Sequence, residues 1–435
     1  MTLTTDQILA MAPDAAAAKA GQKLATLKGW SNLGHDEGAA WGECQGSGPA
    51  PYKVQIDLSA PAHKCSCPSM KFPCKHSLAL LLLLAGQTAA FTGTARPEWV
   101  AAWLSSRAAR TEKKPDAAPK PPDAEAQARR AEERLRKVRA GMEELELWLR
   151  DLVRQGFASL PIQSYAFWDA PAARMVDAQA PGVARQLRSM PALSAGGSDG
   201  HRRLLERIGR LYLLLEGFKR LDSLPPPVGA DIRDRIGFTQ SQENMLSGTG
   251  LRRDWCVVGL HIEEEEQLQT QYTWLWSHED RRPALLLQFA VRGRGFAESL
   301  TPGTCVDAEL VFYPSAFPLR ALIKNHYETT GFPDKLQGFA TITEAMEAYG
   351  AALAANPWVD RFLFVLEQIT PAVEGERWHL VDRNSRMLEL PANFGAGWKL
   401  LAVSGGHPLT VVGEWNGSEF LLLGCIWEGG FLSFR

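Results

Sequence analysis

The run Cys65-Ser-Cys67-Pro-Ser-Met-Lys-Phe-Pro-Cys74-Lys-His76 places three thiols and an imidazole within twelve residues, at the spacing C-x-C-x6-C-x-H. Three thiolates and one imidazole make a complete tetrahedral set for Zn2+. Four protein ligands leave no open position for water, so one structural ion is expected rather than a catalytic one. Pro68 and Pro73 lie in the six-residue spacer and restrict its freedom before metal arrives. The other cysteines, Cys44, Cys256, Cys305 and Cys425, are scattered through apolar or strand-like stretches. In a chain read as cytoplasmic, clustered cysteines suggest metal rather than disulfides.

Other residues offer weaker chemistry. Cys44 and His63 are candidate spare ligands, but Cys44 reads better as a strand cysteine ahead of the cluster, and a place beside the ligands is the minority reading for His63, two residues before Cys65. His261 precedes the acidic run Glu263–Glu266 and reads as a strand end with solvated carboxylates. Arg292-Gly293-Arg294-Gly295 lacks the Lys-Ser/Thr of a phosphate loop and reads as a hairpin turn. Gly196-Gly197-Ser198-Asp199-Gly200 fits G-x-S-x-G, but a nucleophile elbow needs a buried strand before it. The residues ahead, Met190-Pro191-Ala192-Leu193-Ser194-Ala195, make a poor strand, so Ser198 or Asp199 reads as a helix cap.

The elements that must hold the cluster can be read around it. Asp6–Met11 and Asp14–Lys28 are two short Ala-rich helices in prospect, and Tyr52–Leu58 alternates as a strand. After His76, LALLLLLA is apolar on nearly every side, too short for a membrane span of about 20 residues, and so must be buried all round. A finger of roughly 40 residues is too small to cover it. Cover is expected from Ile8, Leu9, Leu24 and Leu27 on one side and Trp99, Val100, Trp103 and Leu104 on the other, making 1–108 one unit.

Beyond it, 109–124 is a linker with four prolines, three lysines and no aromatic residue. Residues 125–250 read as helical. Met142, Leu145, Leu149, Leu152 and Val153 make one stripe, and Leu204, Leu205, Ile208, Leu211, Leu215 and Phe218 another. Pro225–Pro227 is expected to end that region, with one more helix over Ala230–Leu246. Residues 251–435 read as strand-rich, with a helix near Thr341–Ala355 and a closing meander that includes KLLAVSGG and a hairpin turn at Asn416-Gly417. The class is therefore α+β: a small zinc-bound N-terminal domain, a helical middle and a strand-rich C-terminal region.

The 435 residues carry 47 Lys/Arg against 49 Asp/Glu, so no global basic excess drives nucleic-acid binding. Charge is uneven, about +6 over 1–140 and −8 over the rest. Near the cluster, Lys53, Lys64, Lys71 and Lys75 are set against Asp57 alone. They form a small candidate DNA-binding patch, or they offset the −1 charge of three thiolates with one zinc ion. Met1–Ala20 lacks a basic start followed by an apolar core, so the chain is expected to be cytoplasmic and off the membrane.

The ligand pattern resembles the SWIM zinc finger, whose signature is C-x-C, a variable spacer and C-x-H. Gly42–Val54 is similar to the strand pair that precedes the ligands in bacterial members, and Cys74-Lys-His76 running into a leucine-rich helix is similar to the usual exit. The resemblance spans residues 30–90 and implies ligand roles for Cys65, Cys67, Cys74 and His76. It implies a module for binding protein or DNA. Longer bacterial proteins of this type often occur beside MoxR-type AAA ATPases and von Willebrand factor A proteins, which implies an adaptor role with such a partner. The expected function is non-enzymatic and zinc-stabilised. The alternatives are DNA binding through the finger, and an enzyme with its site in 125–435.

Overall fold

The computed structural model describes residues 5–434 except 13–14, 47–49, 59–61, 70, 72, 94, 113–123, 157–163, 195–196, 266–267, 292–295, 297–299 and 429. Two short helices, α1 (Thr5–Ala10) and α2 (Ala15–Leu24), lead into four antiparallel strands. These are β1 (Trp30–His35), β2 (Ala39–Cys44), β3 (Tyr52–Asp57) and β4 (Ala62–Cys65), paired in sequence order. Helices α3 (Lys75–Gly86) and α4 (Glu98–Glu112) follow.

Leu78, Leu80, Leu81 and Leu83 of α3 are buried in one cluster with Ile8, Met11, Ala12 and Ala17 from α1 and α2 and with Cys44, Val54 and Ile56 from the sheet. The N-terminal helices thus supply the expected cover, through Ile8 but not Leu27, which is 47% exposed. The second expected flank is different. Val100, Trp99 and Leu104 of α4 pack with Ala39 and Trp41 in a separate cluster. Side chains alternate along a strand, so Ala39 and Trp41 point away from the face that carries Cys44. The sheet is therefore a middle layer, with α3 and its cover on one side and α4 on the other. Arg107 of α4 pairs with Asp57 at 3.2 Å across that second face.

The expected linker is shorter at its start: 109–112 form the last turn of α4, and 113–123 lie outside the described residues. Next come α5 (Ala124–Gln155), α6 (Tyr165–Asp177), α7 (Pro181–Ser194) and α8 (Gly197–Lys219). Helix α5 packs on α6 and α8, and α7 packs on the same two, which closes a four-helix bundle. Its core joins Met142, Leu145, Leu149, Trp168, Leu187, Leu211 and Leu215. Val153 and Leu205, read as core, are 49% and 52% exposed because each lies to the side of its buried stripe.

Helix α9 (Pro226–Ile236) is short, and α10 (Gln242–Leu246) is separate from it. Pro226 and Pro227 begin α9 rather than only ending what precedes it. A proline at the first helical position loses no hydrogen bond, since that N–H has no partner in the helix. Gly237 stops α9 in the left-handed conformation at φ 107°, which divides the single helix expected over 230–246.

Strands β5 (Leu251–Glu265), β6 (Leu268–Ser277), β7 (Arg282–Val291), β8 (Thr304–Phe312) and β9 (Arg320–Gly331) close a barrel in the order β5-β6-β7-β9-β8. Cys256 on β5 and Cys305 on β8 stand directly opposite and form a disulfide. No disulfide was expected here. The two lie 49 residues apart, and only barrel closure makes them neighbours.

Helix α11 (Ile342–Ala355) leads to β10 (Phe362–Glu374), β11 (Arg377–Val381), β12 (Met387–Glu389), α12 (Gly397–Ser404), β13 (Leu409–Trp415), β14 (Phe420–Trp427) and β15 (Gly430–Ser433). The strands form a second sheet in the order β12-β11-β10-β13-β14-β15. KLLAVSGG, read as part of the meander, instead lies in α12 and its exit. It buries Leu400 and ends at Gly405, whose φ of 59° suits a helix stop. The turn at Asn416 is present, its Oδ1 accepting from the backbone N–H of Ser418 and Glu419. Trp358, just before β10, sits in the bundle core and donates its indole N–H to Arg210 O at 3.1 Å. Asp360 pairs with Arg207 at 3.0 Å and with Arg235, which ties the bundle to the C-terminal sheet.

Candidate metal centre

Strand β4 ends on Cys65, and α3 begins one residue after Cys74. Cys74 is the N-cap residue with extended backbone angles, and His76 is the second residue of the helix. Sheet and helix therefore deliver the two halves of the motif to one place. The thiols of Cys65, Cys67 and Cys74 and a ring nitrogen of His76 all lie within 4.8 Å of one another. His76 Nδ1 stands 3.8 Å from Cys65 Sγ and 4.0 Å from Cys74 Sγ. A tetrahedral ion with Zn–S near 2.3 Å and Zn–N near 2.0 Å separates its donors by about 3.5–3.8 Å, so the donor set fits zinc in type, number and spacing. Among the described residues, no other group of three or more such side chains gathers in this way.

Several features hold this set. The backbone N–H of Cys67 points at Cys65 Sγ, 3.5 Å away. The Tyr52 ring, on β3, leans on the His76 ring with centroids 5.0 Å apart. Cys74 and His76 are each 4% exposed, whereas Cys65 and Cys67 are half-buried. The start of α3 carries partial positive charge, which suits thiolates. Without metal, hydrogen bonds from the Cys65 and Cys67 thiols draw the Cys74 thiol well below its usual range, while donating to the Cys67 and Cys74 sulfurs pushes Cys65 up. Burial works against charge on His76, but hydrogen bonds to the Cys67 and Cys74 sulfurs raise it to about 9. The cluster is thus anionic enough to hold an imidazolium, and a dication would take that place.

Neither Cys44 nor His63 joins the four ligands. Cys44 sits opposite Tyr52 on β2, and burial raises its thiol. His63 is 5% exposed, and burial lowers it to about 4. Lys53, Lys64, Lys71 and Lys75 are all exposed. They do not share one surface element. Lys53 and Lys64 lie on the α4 side of the sheet, with the Lys53 ammonium 5.8 Å from the Trp99 ring, while Lys71 is in the spacer and Lys75 opens α3. Ser77, which no spacing argument singled out, places its hydroxyl 3.5 Å from Cys74 Sγ.

The remaining sequence candidates resolve into structure. A helix, α7, precedes Ser198 instead of a strand, so the elbow geometry is absent. Gly196 and the Arg292–Gly295 run lie outside the described residues. His261 is inside β5 rather than at its end, and its ring stacks on Tyr272 at 4.8 Å. Arg361 donates to Glu414 and Glu263, each at 2.6 Å, and Trp274 donates to Glu414 at 2.7 Å. The histidine and the first acid of the run thus join a charged seam between barrel and sheet, not a solvated end.

The SWIM zinc finger family matches residues 52–85, and the SWIM-associated four-helix bundle domain matches residues 133–236. The chain therefore carries a SWIM zinc finger followed by a SWIM-associated four-helix bundle domain. The first match covers β3, β4 and nearly all of α3, and with them Cys65, Cys67, Cys74 and His76. The second covers the bundle from within α5 to the end of α9. No curated protein and no solved structure matches the chain. No described helix is long and apolar enough to cross a membrane.

Proposed function

We propose that this protein is a non-enzymatic, cytoplasmic adaptor whose finger is built around one structural zinc ion. The observation that supports this reading is the donor count: Cys65, Cys67, Cys74 and His76 gather as four donors, the number a closed tetrahedral ion takes. An ion so enclosed has no site for substrate, so its contribution is to fix β4 against α3. The finger, the bundle and the C-terminal β-region then offer separate surfaces to a partner. The partner class suggested by the family resemblance is a MoxR-type ATPase or a von Willebrand factor A protein. Co-purification of the full chain with each class tests this. Binding that disappears in Cys67→Ser/Cys74→Ser supports the adaptor reading, and absence of both interactions at micromolar protein contradicts the named partners.

The exposure of Lys53, Lys64, Lys71 and Lys75 favours a second reading, DNA binding through the finger. Up to four phosphate contacts give weak binding that falls steeply with salt and is indifferent to sequence. Lys71→Ala/Lys75→Ala should then weaken binding about equally for all duplexes and flatten the salt slope by roughly two. No shift of duplex DNA at low salt would remove this reading.

A further inference from the structure

Ser77 is three residues after Cys74 in the first turn of α3 and is 1% exposed. Positions three apart share a helix face, so the hydroxyl is brought over the ligand, with Oγ 3.5 Å from Cys74 Sγ. Either atom can donate when the cysteine is a thiol. A metal-bound cysteine is a thiolate with no proton, so in the loaded protein only the serine O–H can donate. A buried hydroxyl left without a partner costs about 1–3 kcal/mol, and among the described residues this one has no hydrogen-bond partner other than Cys74.

We infer that Ser77 is a positioning residue of the metal centre: its hydroxyl donates to the Cys74 thiolate, fixes the sulfur toward the ion and withdraws electron density from it. The inference rests on the reading that these four residues hold zinc. Outer partners of metal ligands typically change affinity by roughly 10–100-fold. Helix geometry places the donor independently of the metal, since Ser77 is held by the same leucine-rich helix that α1 and α2 bury.

The test uses the full chain loaded with Co2+ in place of zinc, as wild type, Ser77→Ala and Ser77→Thr. Thiolate-to-cobalt charge transfer reports the electron richness of the sulfurs. Ser77→Ala should move that band to lower energy and weaken Co2+ and Zn2+ binding about 10–100-fold in chelator competition. Ser77→Thr should restore both. Alanine is the better helix former, so the variant is expected to fold, and Ser77→Gly removes the same donor and reads the same band. An unmoved band in Ser77→Ala and Ser77→Gly overturns the inference, whether or not affinity falls, because lost packing alone does not alter the sulfur. Failure of wild type to take up cobalt at all would instead overturn the zinc reading beneath it.

Discussion

Truncating Ile8 should loosen the metal site through the core that Ile8 shares with α3. Ile8 is 1% exposed in α1 and shares one core with Leu78, Leu80, Leu81 and Leu83 of α3. Ile8→Ala removes most of a buried aliphatic side chain and leaves a cavity, at a cost of about 2–4 kcal/mol. Helix α3 begins at the ligands, with Cys74 at its cap and His76 in its first turn. If the metal-free unit is unfolded, metal binding drives its folding, and the whole cost appears in apparent affinity. At about 3 kcal/mol that is roughly a hundredfold. If the metal-free unit is folded, the cost appears in its urea midpoint instead. Both are measured on the full chain, by chelator competition and by urea titration with and without zinc. Leu27→Ala is the control: at 47% exposure it should stay within about 0.5 kcal/mol. Wild-type affinity together with a wild-type urea midpoint in Ile8→Ala would refute the claim that α1 supports the finger. An equal loss in Leu27→Ala would refute the choice of cover.

Peptide mapping of protein purified in air should find the Cys256 and Cys305 peptides joined; removing that bond opens a loop spanning 49 residues and should cost about 2–4 kcal/mol. Free thiols at both positions would contradict it. In the seam between barrel and sheet, the adjacent His261 ring, 3.8 Å away, and then the Arg361 guanidinium hold the Glu263 carboxyl down at about 2, from an ordinary 4.5. A depressed carboxyl contributes fully above its unfolded value and loses that contribution as pH falls through its folded one, so stability should decline from about pH 4.5 towards 2. Glu263→Gln should flatten that decline in acid unfolding curves; an unchanged slope would count against the seam. Arg361→Ala strands Glu414, 3% exposed, and should cost about 3–5 kcal/mol, read as a lowered urea midpoint of the full chain.

The gathering of the Cys/His cluster was legible because all four side chains lie within twelve positions of sequence. The leucine run was legible for the same local reason, since a helix apolar all round announces burial. Its partners were only half legible: Ile8 could be named, but the face chosen by Val100 depends on strand alternation at Ala39 and Trp41. Helices α6 and α7 carry Pro171 and Pro191 in their interiors, which blurs the helical period, and they were read only as part of a helical stretch. Strand β10, with its buried run Phe362–Leu366, and the largely exposed β9 show no clean alternation and were not singled out. Pairings across long separations, Cys256 with Cys305 and Arg361 with Glu263, arise from barrel closure and sheet docking. No local spacing encodes them. Ser77 escaped notice because serine at that position also reads as an ordinary first-turn residue.

The most direct test is elemental analysis of the purified full chain beside Cys67→Ser/Cys74→Ser. One zinc per chain in the wild type, lost in the double variant, is the expected result. A wild type without zinc, or a double variant that keeps a full equivalent, would contradict the metal centre at Cys65, Cys67, Cys74 and His76.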